Sequence, residues 1–146
     1  MIQELQALYE RDLQRLHKEI AAFVQDEHLW QKSGNVPNSA GNLALHLVGN
    51  LSTYIGLTLG KVPYVRDRQA EFATKNLPKE ELLRQIEHTK AIVLTSLQAL
   101  RAEDLRQDYP EEVLGYKMTT GFFLMHLLAH LSYHLGQVNY LRRILE

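Results

Sequence analysis

Cysteine is absent from the chain. Its absence excludes disulfides, thiolate metal ligands and a cysteine nucleophile, so any thiol in the chemistry must come from a bound molecule. Long apolar runs are also absent: none approaches the roughly 20 residues that a membrane-spanning helix needs. The N-terminal residues are charged and periodic, unlike a secretory signal. From these absences we expect a cytoplasmic protein without a membrane-spanning segment.

The chain also lacks an excess of charge of either sign. Its formal net charge is −1, which gives no broad electrostatic basis for binding nucleic acid or an acidic membrane surface. There is no internal repeat and no low-complexity tract. The length of 146 residues, 45% of them hydrophobic, is enough for one globular core. We therefore expect a single domain over residues 1–146.

Apolar residues recur at the spacing of amphipathic helices in four long segments. These segments run from about Ile2 to Asp26, from Asn38 to Leu59, from Pro78 to Leu100 and from Thr119 to Leu145. Residues 60–77 form the longest connection, which is either a solvated connector or a functional loop. Four helices with connections long enough for a crossover predict an all-α four-helix bundle.

The last predicted helix carries three histidines at steps of four residues: His126, His130 and His134. His130 and His134 are roughly 6 Å apart along the axis and can converge on one metal ion. His126 lies roughly 12 Å from His134, which is too far for all three to share one ion. We therefore select His130 and His134 as metal ligands, with His126 as a flanking residue. The alternative is that these histidines only fill a polar edge of the core.

His46 completes the predicted site from the second helix, where it lies at the border of the apolar face. Three imidazoles leave at least one coordination position open, which is the arrangement of a catalytic rather than a structural metal. Imidazole suits Zn, Ni, Cu and Fe. Asn50 and Gln137 are candidates to hydrogen-bond the ligands or simply to pack. Asp12 falls within the apolar stripe of the first helix, where it either caps a neighbouring group or supplies a fourth ligand.

Small residues occupy the opposite side of the second helix. Gly49, Ser52 and Gly56 are spaced so that they line one strip of its surface. Such a strip lets another helix approach closely, within the chain or from a second chain, and the alternative is a solvent-facing strip. We favour a contact face.

Several familiar enzyme motifs are missing. No Glu-x-x-His pair of the di-iron type precedes the histidines of the last helix. His130 is followed by Leu131, so the His-Glu-x-x-His motif of zinc proteases is not formed. A glycine-rich phosphate loop and a nucleophile elbow are absent as well.

Two motifs, in their order and spacing, resemble the DinB-like superfamily. The first is His130-Leu-Ser-Tyr-His134-Leu-Gly-Gln, and the second is Asn38-Ser-Ala-Gly-Asn-Leu-Ala-Leu-His46-Leu. Further similarity to a small subgroup of unassigned function lies in Gly49-Asn50 and in Arg66-Asp-Arg68 with Glu71-Phe72. The chain departs from the commoner pattern at Leu131, where a Glu is frequent.

The resemblance implies an up-down-down-up bundle, often a homodimer, with Zn or Ni on His46, His130 and His134. Members of the superfamily include transferases and isomerases that use low-molecular-weight thiols such as bacillithiol, mycothiol or glutathione. Others are known only as damage-inducible proteins.

These observations together predict a metal-dependent enzyme that transfers a thiol to a small electrophile. Arg66, Arg68 and Tyr64, on the long connection, are the candidates to bind the acid group of a thiol cofactor. The alternatives are a non-enzymatic dimeric metal-binding or stress-response protein, and a metal-dependent hydrolase. The sequence assigns no definite role to His126, Asn50, Asp12 or Glu71.

Overall fold

The computed structural model describes residues 1–146 and contains no strand. Its α-helices are α1 (Ile2–Ala22), α2 (Ala40–Leu51), α3 (Arg68–Ala73), α4 (Lys79–Gln98) and α5 (Thr120–Leu145). Three further helical pieces are a 3₁₀ helix at Asp26–Trp30, π-helical turns at Ser52–Leu57 that continue α2, and a 3₁₀ helix at Asp104–Arg106. The prediction of an all-α four-helix bundle is confirmed.

The first helix ends four residues earlier than predicted. Phe23 leaves the helical conformation, with φ −59° and ψ 123°. The backbone N–H groups of Val24 and Gln25 donate instead to the Glu146 carboxylate, at 2.9–3.1 Å. The end of α1 is therefore stabilised by a residue more than 120 positions away in the sequence. The apolar periodicity of α1 gives no information about such a distant contact.

The short helix α3 lies inside residues 60–77, which were predicted to be a connecting loop. Asp67 caps it, because its side chain accepts a hydrogen bond from the Ala70 backbone N–H at 3.0 Å. Six residues are fewer than two helical turns, which is too short to give a recognisable apolar period. The connection thus contains a helix that the sequence did not indicate.

Helices α1 and α5 run parallel. Near their beginnings, the Tyr9 hydroxyl donates to the Leu124 carbonyl oxygen at 2.6 Å. Near their ends, Arg142 Nε donates to Glu19 Oε2 at 2.9 Å. Contacts between early residues and between late residues fix the common direction of the two helices.

Helix α4 runs opposite to α1. Lys79, at the beginning of α4, donates to the Phe23 carbonyl oxygen just after α1. Lys90, farther along α4, donates to Gln14 at 2.8 Å.

The small residues predicted to form a contact face pack against other helices of the same chain: Gly49 faces Glu71 of α3, whereas Ser52 and Gly56 face α4. A Cβ added to Gly56 would lie 2.9 Å from Ile92, and one added to Gly60 would overlap Ser96. Because residues pair here in ascending order, α2 is parallel to α4. The predicted contact face is thus observed, and the bundle runs up, down, down, up through α1, α2, α4 and α5.

Asp12 is buried in the bundle and does not join the histidines. Its Oδ1 accepts hydrogen bonds from Arg11 Nε at 2.8 Å and from Arg15 Nη1 at 3.4 Å. The fourth-ligand alternative for Asp12 was therefore wrong, since two flanking arginines hold its carboxylate.

None of the helices combines the length and the apolar character that crossing a membrane requires.

Candidate metal centre

His46, His130 and His134 converge between α2 and α5. His130 is central, because its Nε2 lies 3.2 Å from His46 Nε2 and 3.2 Å from His134 Nε2. One nitrogen from each ring lies within 4.8 Å of the corresponding nitrogens of the other two. The sequence placed two of these residues on one helical face, and the bundle brings the third to them.

The separations fit a single shared ion. Two nitrogens that each lie about 2.0–2.1 Å from a tetrahedral ion are roughly 3.4 Å from each other, and the two separations from His130 Nε2 are 3.2 Å. This group of three imidazoles could therefore hold a metal ion.

Hydrogen bonds on the far side of two rings strengthen this interpretation. His46 Nδ1 lies 3.1 Å from Glu71 Oε1, and His134 Nδ1 lies 2.6 Å from Gln137 Oε1. Both partners are acceptors, so each Nδ1 carries the proton and each Nε2 presents a lone pair to His130. A neutral His130 can donate from Nε2 to only one of them. At least one pair of lone pairs then faces each other at 3.2 Å, and a cation between the rings removes that repulsion.

Burial keeps the imidazoles of His130 and His46 in the neutral form that binds metal. Desolvation, together with the neighbouring His134 and His46, lowers the pKa of His130 to about 4. Desolvation also lowers the pKa of His46, although the hydrogen bond from its ring to Glu71 opposes that shift. Neither ring needs to lose a proton at neutral pH before it can bind an ion.

Glu71 is the residue of the site whose role the sequence did not indicate. Its carboxylate is buried and accepts from His46 on one side. On the other side it accepts from Arg66 Nε at 2.8 Å and from Arg66 Nη2 at 3.0 Å. The arginine balances the charge of the buried carboxylate, which in turn fixes the orientation of His46.

Two residues of α2 bring Glu71 to this position. Asn42 Nδ2 donates to the backbone carbonyl oxygens of Glu71 and Thr74, at 3.0 and 2.8 Å, and so holds α3 against α2. Gly49 leaves the space for the carboxylate, because a Cβ at this position would overlap it. In the sequence, Glu71 was noted only within the segment that resembles a subgroup of unassigned function, and that resemblance indicated no contact with His46.

Two cavities of different character border the histidine cluster. The first, of about 250 Å³, is lined by Arg66, Arg68, His126 and Asn50 together with His46 and His130, and contains no acidic side chain. We refer to it as the cationic cavity. The second, of about 340 Å³, is lined mainly by apolar side chains and includes His134 and Gln137. We refer to it as the apolar cavity.

The predicted cofactor-binding residues are divided by the structure. Arg66 and Arg68 line the cationic cavity, whereas Tyr64 lines separate cavities beside Val48 and Gln85. Tyr64 does not line the cationic cavity, and its role beside the two arginines stays a prediction. His126 is exposed at the cationic cavity, and its ring stacks on Phe123 with 5.9 Å between centroids.

The comparison with protein families decides how the chain is classified. Residues 2–146 match a family described as proteins of unknown function (DUF1572). The chain belongs to this family. No curated protein matches the sequence. A crystal structure of a DinB-like protein from Bacillus cereus superposes with a TM-score of 0.68 at 20% identity, covering 90% of this chain and 84% of that one. At this identity the similarity shows a common fold and no activity, so the chain has a DinB-like fold and belongs to a family of unknown function.

Proposed function

We propose that this DinB-like protein is a metal-dependent enzyme that transfers a low-molecular-weight thiol to a small electrophile. His46, His130 and His134 would hold Zn or Ni. The observation that carries the proposal is the convergence of three Nε2 atoms, at 3.2 Å from the central one, with acceptors behind two of the rings. Since the chain has no cysteine, the thiol comes from a bound molecule.

The chain supplies orientation and charge around the reacting thiol. When bound, the divalent ion favours the thiolate form of a thiol at its open position. Glu71 and Gln137 hold the protons at the Nδ1 atoms of His46 and His134, which keeps their Nε2 lone pairs toward the centre. Arg68 lines the cationic cavity and is positioned to pair with the acid group of the thiol cofactor. Arg66 is committed to Glu71.

Thiol consumption tests this function. The protein, purified without a histidine tag and loaded with Zn or Ni, is incubated with glutathione and 1-chloro-2,4-dinitrobenzene. A carbon–sulfur bond forms, chloride leaves with the electron pair, and the thiol proton goes to solvent. We expect glutathione to be consumed only when both the protein and the metal are present. Arg68→Ala should raise KM for glutathione about tenfold, the loss of one charge-assisted contact, and leave KM for cysteamine, which has no carboxylate, unchanged.

The controls separate this function from its alternatives. Arg106→Ala changes another exposed arginine, which does not line the cationic cavity, and should leave both thiols unaffected. Metal binding without consumption of any thiol would favour a non-enzymatic metal-binding protein. Metal-dependent hydrolysis of esters without thiol consumption would favour the hydrolase alternative.

We also propose that the protein is a homodimer formed through the outer face of α5. Phe122, Met125 and Tyr133 are 46%, 46% and 66% exposed there, and a Cβ at Gly136 would meet no other atom. A helix face of this kind, apolar and with room at a glycine, suits packing against a second copy. We expect Tyr133→Glu to shift the mass measured by analytical ultracentrifugation from dimer to monomer. A wild-type monomer at all concentrations would contradict this proposal.

A further inference from the structure

The apolar cavity borders the histidine cluster on the side of His134, whereas the cationic cavity borders it on the side of His46 and His130. Leu43 and Leu141, each 4% exposed, contribute buried wall to the apolar cavity, and Val36 and Ile144 line it closer to solvent. No lysine, arginine, aspartate or glutamate lines it. The site thus offers two environments of opposite polarity around one set of nitrogens.

The polar groups of the apolar cavity are few. His134 and Gln137 hydrogen-bond each other at 2.6 Å through Nδ1 and Oε1. A volume of about 340 Å³, mostly apolar walls and a small number of placed polar groups are typical of small-molecule pockets rather than of protein-docking surfaces. A charged ligand would lose hydration here without gaining an opposite charge.

We propose that the apolar cavity binds the uncharged, hydrophobic part of the electrophilic substrate and places its reacting atom beside His134. This inference rests on the proposed function, because it assigns the second reactant of the same site. The thiol, held by its acid group in the cationic cavity, approaches from the other side of the cluster. The substrate class is therefore a small uncharged molecule with an alkyl or aryl group attached to its electrophilic centre.

Two probe series measure the cavity and the metal site separately. Alkanols of two to six carbons probe the apolar cavity alone, and alkanethiols of the same lengths add a group that binds metal. Binding is measured by calorimetry on chelator-treated and on Zn-loaded protein. We expect affinity to rise about two- to fourfold per methylene in both series and with both forms of the protein. Replacing the hydroxyl by a thiol should increase affinity only with the Zn-loaded form.

A matched pair of variants locates the binding site. Val36→Trp fills the apolar cavity and should abolish the dependence on chain length. Val65→Trp makes the same change at a side chain that is 94% exposed and lies outside this cavity, and should preserve it. If Val36→Trp does not fold, as judged by circular dichroism, Ile144→Trp replaces it, since Ile144 lines the same cavity and is 62% exposed.

The possible results separate this inference from the proposed function. Affinity that is independent of chain length, or a dependence that survives Val36→Trp and Ile144→Trp, overturns the inference. Thiols that bind Zn-loaded protein no better than alkanols overturn the metal-dependent thiol function but leave the cavity assignment standing. If thiols bind the Zn-loaded protein more tightly than alkanols but affinity does not depend on chain length, the cavity assignment is overturned and the metal-dependent thiol function stands.

Discussion

Replacing His130 with alanine is expected to abolish tight metal binding while the bundle stays folded. His130 Nε2 is the atom nearest to both other candidate ligands, at 3.2 Å from each. Its removal leaves one imidazole on α2 and one on α5 without the nitrogen between them. Loss of a hydrogen-bonding residue behind a ligand already costs about 10–100-fold in metal affinity, so loss of the ligand itself should cost more than about 100-fold. Competition with a chromophoric chelator and elemental mass spectrometry give the affinity and the metal content.

The matched control for this variant is His126→Ala, one helical turn earlier on α5. His126 is exposed, lies outside the group of three histidines and stacks only on Phe123. We expect its replacement to leave metal affinity unchanged. Equal losses in the two variants would indicate a general effect of the helix surface, and no metal in the wild type would contradict the site altogether.

The stability of the metal-free variants distinguishes a ligand from a packing residue. His130 Nδ1 is buried without a hydrogen-bond partner, and an unsatisfied buried polar atom costs about 1–3 kcal/mol. In the metal-free protein, its removal offsets the lost ring contacts, so we expect the free energy of unfolding to change by less than about 1 kcal/mol. A packing histidine should instead give a clear loss, with or without metal. Urea unfolding of both metal-free proteins measures the difference.

The helices of the bundle and the histidine cluster were accessible from the sequence for the same physical reason. A helix repeats its faces every three to four residues, so apolar spacing shows the buried face, and a four-residue step puts His130 and His134 side by side. His46 was assigned from its border position on α2, and the antiparallel packing of α2 against α5 brings its ring within 5.0 Å of the His130 ring centroid. The metal itself stays a prediction.

The parts that sequence reasoning missed are those that depend on the docking of short segments. Glu71 reaches His46 from a six-residue helix that Asn42 and Gly49 of α2 hold in place. No periodic pattern reports such contacts, because they arise only when distant segments pack. Tyr64 and Arg66 line different cavities although only Val65 separates them in the sequence, and no sequence pattern indicates this difference.

Replacing Glu71 with alanine is expected to produce the second large effect, on stability and metal affinity together. Removing one partner of a buried ion pair costs about 3–5 kcal/mol. Arg66 keeps 16% exposure and lies 5.7 Å from the centre of the Tyr54 ring, so it retains some solvation and the loss should be near the lower end, about 3 kcal/mol. His46 loses its Nδ1 acceptor as well, and metal affinity should fall about 10–100-fold.

The Glu71→Gln variant distinguishes two roles of Glu71: the hydrogen-bond acceptor for His46 and the negative charge opposite Arg66. The amide keeps an oxygen that can accept from His46 Nδ1, but it removes the negative charge opposite Arg66. We therefore expect a stability loss similar to that of the alanine variant and a smaller loss of metal affinity. Urea unfolding of the metal-free protein and chelator competition of the loaded protein give the two quantities independently.

A double variant then decides whether Glu71 acts on the site directly or only through Arg66. Arg66→Ala combined with Glu71→Ala removes both charges of the pair, so the stability loss should be smaller than the sum of the single losses. Metal affinity should stay as low as in Glu71→Ala alone, because His46 still lacks the acceptor at 3.1 Å. If the double variant regains wild-type metal affinity, Glu71 does not orient His46, and its role is limited to neutralising the guanidinium beside the site.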